Sequence, residues 1–301
     1  MTPSAARPQR VPPWGLALAS MTSVQLGSAL SLPLISTVGP AGTAWLRLTI
    51  GAVIFLVIAR PPLRQVRGHD LPSLLALGVT TGLVTIAFLA AIERIPLGTA
   101  VAVEFLGPLT VAALRSHSRR ALAWPALALL GVVLLTQPWR GDVNAAGLAF
   151  AALAAVGWGI YIVLTQHVGD RFCGLSGLSI TVPIGAAAAA VTGIPQASGH
   201  LTVGVVAAAA GLAVLLPVLP FALEMLALRR MSPHAFGTLM ALEPAIGLTL
   251  GLLLLHQVPS PSQALGILLV VLAGGAAQRG GRRRPPPTTE ETTHTALDFI
   301  A

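Results

Sequence analysis

Ten long stretches, built almost wholly from Leu, Ala, Val, Ile and Gly, alternate along the chain with short segments that hold nearly all of its charge. They fall near residues 14–34, 41–59, 71–91, 95–114, 121–136, 147–167, 174–193, 203–228, 233–255 and 259–277. A hydrocarbon layer about 30 Å thick takes roughly 20 apolar residues of helix to cross, so each run is predicted to be a transmembrane helix. Residues 1–13 are too polar for the apolar region of a signal sequence, and no small-residue cleavage pattern follows a short apolar run. The first run is therefore expected to be retained. The tail RGGRRRPPPTTEETTHTALDF (279–299) is charged and rich in Pro and Thr, a composition expected to be disordered.

Composition sharpens that picture. The 301 residues are 54% hydrophobic and 9% charged, against about a quarter charged in soluble domains; a water-soluble coat cannot be made from them. The net charge of +8 comes from arginines clustered between apolar runs, not arrayed on one face, so a nucleic-acid partner is not expected. Cys173 stands alone, which excludes an intrachain disulfide or a CxxC metal site and reads as a small apolar filler.

The arginines instead carry orientation. With ten spans and the N-terminus inside, the cytoplasmic segments hold Arg7, Arg10, Arg60, Arg64, Arg67, Arg115, Arg119, Arg120, Arg171, Arg229, Arg230, Arg279 and Arg282 to Arg284. Only Arg94 and Arg140 fall outside, and Arg47 lies within a span. An odd number of spans would break that alternation, so the positive-inside rule predicts both termini cytoplasmic.

The chain also repeats itself. IERIPLGTAVAVEFLGPL (92–109) superposes on LRRMSPHAFGTLMALEPA (228–245), setting Pro108 against Pro244; GLALASMTSVQLG (15–27) resembles GLAFAALAAVGWG (147–159), and LALLGVVLL (127–135) resembles SQALGILLV (262–270). Five helices per half is an odd number, so equivalent segments run in opposite directions. The fold class expected is an all-α integral membrane protein of ten transmembrane helices in two inverted five-helix repeats. They are residues 14–136 and 147–277, joined by an outer connection at 137–146 and flanked by cytoplasmic segments 1–13 and 278–301. Such repeats belong to secondary transporters, whose site lies at the bilayer midplane between halves that rock.

A charged side chain at mid-membrane costs about 2.5–3.5 kcal/mol on the insertion scale, so ionisable residues there are candidates for function. The spans hold Arg47, Glu104, Glu224 and Glu243. The repeat sets Glu243 opposite Gly107, three residues from Glu104, which puts the two carboxylates about one turn apart on equivalent faces. A small solute that carries both charges needs a partner for each once it is desolvated. The glutamates suit its cationic group, and Arg47 or a free backbone N–H suits its anionic one. Three carboxylates against one guanidinium is a net of about −2 that desolvation opposes, so proton uptake during transport is one way to balance it. Gln25, Trp158 and Tyr161 are further substrate-binding candidates, and Pro108 and Pro244 are candidates for helix breaks that gate the site.

Plainer readings stand beside these. Arg47 is also read as a scaffold ion pair or snorkelling anchor, Glu104 and Glu243 as partners for backbone groups freed by the prolines, and Glu224 as solvated near the cytoplasmic end. His167, His200, His234 and His256 lie near span ends and read as structural; Trp14, Trp45, Trp124 and Trp139 read as interfacial belt residues. Gly27 and Gly159 match in the repeat and are expected to permit close packing. No metal-ligand pair, HExxH, GxSxG or paired-Asp motif is present, so neither an enzyme nor a metal or cofactor is expected.

The Arg47 of WLRLTIGAVIF, the two five-helix repeats and the Pro108 and Pro244 helices resemble the EamA branch of the drug/metabolite transporter superfamily, over residues 14–277. Within it, SVQLGSAL (23–30), IPLGTAVAVEFLGPL (95–109), GWGIYIVLTQ (157–166) and LPFALEMLALRRMSPHAFGTLMALEPAIG (219–247) are similar to bacterial exporters of threonine and homoserine. The chain departs from that pattern where SALSLPLI carries no lysine and where His256-Gln257 follows the ninth run. The resemblance implies a cell-membrane carrier that exports small neutral amino acids by alternating access; its partners would be that solute, the lipid bilayer and protons. A monomer and a homodimer both remain open. Carriers of aromatic amino acids, lipophilic cations, drugs or nucleotide-linked sugars are the alternative within the superfamily, and an intramembrane enzyme is the alternative outside it.

Overall fold

The computed structural model describes residues 11–59, 66–115, 122–140, 144–169, 175–231 and 233–279. Cys173, the side chain of His234, the tail beyond residue 279 and the arginines at 7, 10, 60, 64, 119, 120, 171 and 282–284 lie outside the described residues.

Helix follows the apolar runs, and no strand occurs among the described residues. In chain order the helices are α1 (Pro13–Leu30), α2 (Leu32–Ala59), α3 (Leu71–Ile92), α4 (Leu97–Glu104), α5 (Leu106–Leu114), α6 (Ala123–Thr136) and α7 (Ala145–Gly169). There follow α8 (Leu175–Ala197), α9 (Val203–Ala213), α10 (Leu219–Leu228), α11 (Pro233–Met240), α12 (Glu243–Leu255) and α13 (Pro261–Arg279). By length and composition, seven helical stretches among the described residues can cross a membrane; Ala123–Thr136 and Pro261–Ala277 are shorter apolar helices. Large apolar side chains such as Val57, Leu83, Leu129, Leu153, Val156 and Leu272 face outward, the surface an apolar solvent requires.

Breaks in these helices matter more than their ends. The fourth run is split at Phe105 into α4 and α5, and the ninth at Ala241 and Leu242 into α11 and α12. Sequence placed these breaks at Pro108 and Pro244; they fall a few residues earlier, with each proline inside the first turns of the next helix, where its missing N–H costs least. The eighth run is interrupted by a π-helical turn, Val214–Val218, in which Leu216 leaves helical geometry (φ −160°, ψ 111°). The second run begins earlier than its hydropathy indicates, at Leu32. The chain is helical on both sides of Gly39, whose φ of +72° takes the left-handed conformation that glycine tolerates.

The interior is built from small side chains, which lets backbones approach. The main apolar core joins α3, α4, α6, α7 and α13 through residues such as Ala87, Ala100, Ala128, Ala154, Val270 and Ala273. α6 meets α13 most closely where a Cβ added to Gly131 would stand 2.6 Å from the Gly266 carbonyl oxygen, and one added to Gly266 would stand 2.6 Å from that of Gly131. Gly27 packs on Leu215 and Leu216, and Gly159 on Val111.

Glutamines tie helix ends to neighbouring elements. Gln196 Oε1 accepts from the Ala41 and Gly42 amides (2.7 and 3.1 Å), and Gln257 Oε1 from the Leu97 amide (3.0 Å), meeting donors that a helix N-terminus leaves free. Gln137 Nε2 donates to Ser260 and Ser262, and Gln263 Nε2 to the Leu135 carbonyl (3.1 Å).

Candidate functional site

A cavity of about 300 Å³ lies among α1, α2, α3, α7, α8, the Val214–Val218 turn, α10 and the broken fourth and ninth runs. Gln25, Arg47, Glu104, Trp158, Tyr161, Glu224 and Glu243, the seven side chains singled out for substrate contact, all line it. Pro108 and Pro244 are not among the lining residues. A proline at position i cannot bond the carbonyl at i−4, which here is that of Glu104 and of Met240, the two residues that end α4 and α11 and face the cavity.

Each charged group is held differently. Glu243 opens α12 and is 4% exposed, at the helix end whose free amides favour an anion. Glu224, half-buried, sits 3.0 Å from Ser20 Oγ, which also reaches the Pro220 carbonyl at 3.3 Å. Glu104 is half-buried, and it lines the cavity together with Glu224 and Glu243.

Arg47 is 4% exposed, too buried to snorkel, and Nη1 donates to Ser31 Oγ at 3.3 Å. Among the described residues it forms no ion pair, so the scaffold-pair reading finds no partner. Its Nε and the Oε1 of Gln25, itself 3% exposed, are buried without a hydrogen-bond partner among the described residues. Trp158 is set edge-on against Phe105, at the α4–α5 break, with ring centroids 6.4 Å apart.

Sequence reading passed over the hydroxyl wall. Ser28, Thr81, Thr85 and Thr181 also line the cavity, and each donates to a carbonyl four residues back in its own helix (2.8–3.1 Å). Thr81 and Thr85, four apart in a run whose other hydroxyl residues are Ser73 and Thr80, were the signal that could have found them. Ser23 Oγ donates to the Leu215 carbonyl (2.7 Å), meeting an acceptor that the disturbed π-helical turn presents. The whole arrangement offers one cation with an unmet N–H, three carboxylates and one unmet neutral acceptor.

An all-helical bundle with an outward apolar surface and a charged interior cavity defines a multi-pass membrane protein. Residues 145–274 match the EamA-like transporter family. Over 272 residues, covering 86% of this chain and 90% of the relative, the sequence is 35% identical to the threonine/homoserine exporter RhtA of Escherichia coli (strain K12). Over 258 residues, 83% and 85% respectively, it is 34% identical to the threonine/homoserine exporter RhtA of Salmonella typhimurium (strain LT2). A protein of known crystal structure shares the fold with a TM-score of 0.57 at 20% identity, covering 87% of this chain and 96% of that one. The chain belongs to the EamA-like transporter family.

Proposed function

We propose that the protein exports small neutral amino acids of the threonine and homoserine kind from the cytoplasm by alternating access. The observation that carries this reading is the convergence of Arg47 with Glu104, Glu224 and Glu243 on one cavity. The substrate carboxylate is met by Arg47 and the ammonium by the glutamates, with Gln25, Trp158 and Tyr161 completing the contact. A volume near the lower end of the roughly 300–1,000 Å³ that ligand pockets span suits one small solute. The names of the relatives point the same way. One glutamate takes up a proton as the solute leaves, which couples export to the proton gradient.

Two inverted repeats of five spans, residues 14–136 and 147–277, supply the moving parts. Several observations support this. An offset of 136 carries α4 (Leu97–Glu104) onto α11 (Pro233–Met240), each followed by a break and then a proline. Exchanging the halves turns the packing of α3 on α7 into that of α10 on α1, and both pairs pack. The reciprocal contact of Gly131 and Gly266 is the third sign. The prolines then hinge the two broken runs beside the cavity.

In proteoliposomes, the protein is expected to move labelled threonine outward, and Pro244→Ala to slow that movement severalfold without unfolding the protein. Equal rates with and without protein would end the reading. Tags placed after Arg67 and Arg115 are expected in the cytoplasm and tags after Gly141 outside; a tag at 141 found inside would overturn the ten-span arrangement.

A further inference from the structure

Two residues that line the cavity each keep one buried polar atom that no described residue meets, and the two are of opposite character: Arg47 Nε, a donor, and Gln25 Oε1, an acceptor. A buried polar atom left unpaired is costly, and a ligand group that reaches it removes the cost. Arg47 is matched by a carboxylate, and an ammonium is best matched by the three glutamates. Neither end of a zwitterion accounts for Gln25. A neutral amide oxygen among carboxylates is the weakest acceptor there for a cation, so a neutral donor is its natural partner, and on a small amino acid that donor is a side-chain hydroxyl.

The placement fits. Gln25 Oε1 lies 3.5 Å from where a Cβ of Gly247 would stand. Gly247 follows Glu243 by one helical turn on the same face of α12, a rise of about 6 Å. A solute whose ammonium meets Glu243 therefore brings a hydroxyl to Gln25 only if the two groups are a few bonds apart. The other polar wall groups do not discriminate in this way. Ser28, Thr81, Thr85 and Thr181 are already bonded within their own helices, so a solute without a hydroxyl leaves them undisturbed. It leaves Gln25 Oε1 bare.

Resting on the amino-acid reading above, we propose that Gln25 Oε1 accepts a hydrogen bond from the side-chain hydroxyl of the transported amino acid and selects hydroxy amino acids over apolar isosteres. Sites built to bond a substrate hydroxyl reject analogues that lack it, because their own buried groups are left unpaired.

The test uses the full chain in proteoliposomes and compares threonine with valine, in which a methyl replaces the hydroxyl. The wild type is expected to favour threonine by at least about tenfold. Gln25→Met, close in volume and without the acceptor, is expected to bring the ratio within about threefold by weakening threonine and sparing valine. A wild type that transports threonine but binds valine equally overturns the proposal, as does a Gln25→Met protein that keeps the wild-type ratio or loses both solutes alike. Should Gln25→Met not fold, the wild-type ratio of homoserine to norvaline decides by the same criterion. A wild type that transports none of the four solutes instead overturns the amino-acid reading, and this assignment with it.

Discussion

Glu243→Gln is expected to weaken substrate binding about ten- to a hundredfold while leaving the fold intact. A hydrogen bond to a charged group in a desolvated site is worth about 1.5–3 kcal/mol net, and Glu243 combines near-complete burial with a position at the start of α12, facing the cavity. Glutamine keeps the volume and the hydrogen-bonding length, and it removes a charge from a side chain that is 4% exposed, so the variant should melt no lower than the wild type. It is also expected to exchange substrate across the bilayer without responding to an imposed pH gradient. Binding and counterflow measured on purified protein decide the matter. Wild-type affinity with wild-type pH response in Glu243→Gln would remove the residue from the site and leave it a packing group.

Gly131→Val is expected to destabilise the protein without touching the cavity. The Gly131 position faces the Gly266 carbonyl oxygen at 2.6 Å from an added Cβ, with Val270 Cγ2 at 2.9 Å. The carbonyl cannot yield without moving the α13 backbone. Overpacking a close contact typically costs about 1–3 kcal/mol, read as a lower melting temperature in detergent. Gly211→Ala is the control, because nothing lies within 4 Å of a Cβ there, and it should melt like the wild type. Equal melting of both variants would mean that the α6–α13 contact contributes little to stability.

The sequence made the helices and the charged centre legible for the same physical reason: apolar solvent leaves few tolerable patterns. Arg47, Glu104, Glu224 and Glu243 stood out because charge within such a run is rare, and all four line one cavity. The breaks were legible only in part. Pro108 and Pro244 marked the right runs, but the bends fall before them, where each ring crowds the preceding turn. The start of α2 was missed because Leu32–Leu34 continue the apolar run of α1 with only Ser31 between the two helices, and only Gly39 departs from helical geometry within α2. Gln196 and Gln257 went unnoticed as helix caps because their partners, Ala41 and Leu97, lie more than 150 residues away. Capping at that separation leaves no local pattern, unlike a Ser or Thr placed just before its own helix.

The threonines and serines that bond four residues back have a consequence for how the bundle comes together. Thr81, Thr85, Thr110, Thr181 and Thr249 each satisfy their hydroxyl proton within a single helix, so those helices can enter lipid one at a time with no partner waiting. Gln25 and Arg47 keep a buried atom unmet even after the helices have gathered. Those five hydroxyls need no neighbouring helix, whereas on the reading proposed above Gln25 and Arg47 find their complement last, when a solute fills the cavity.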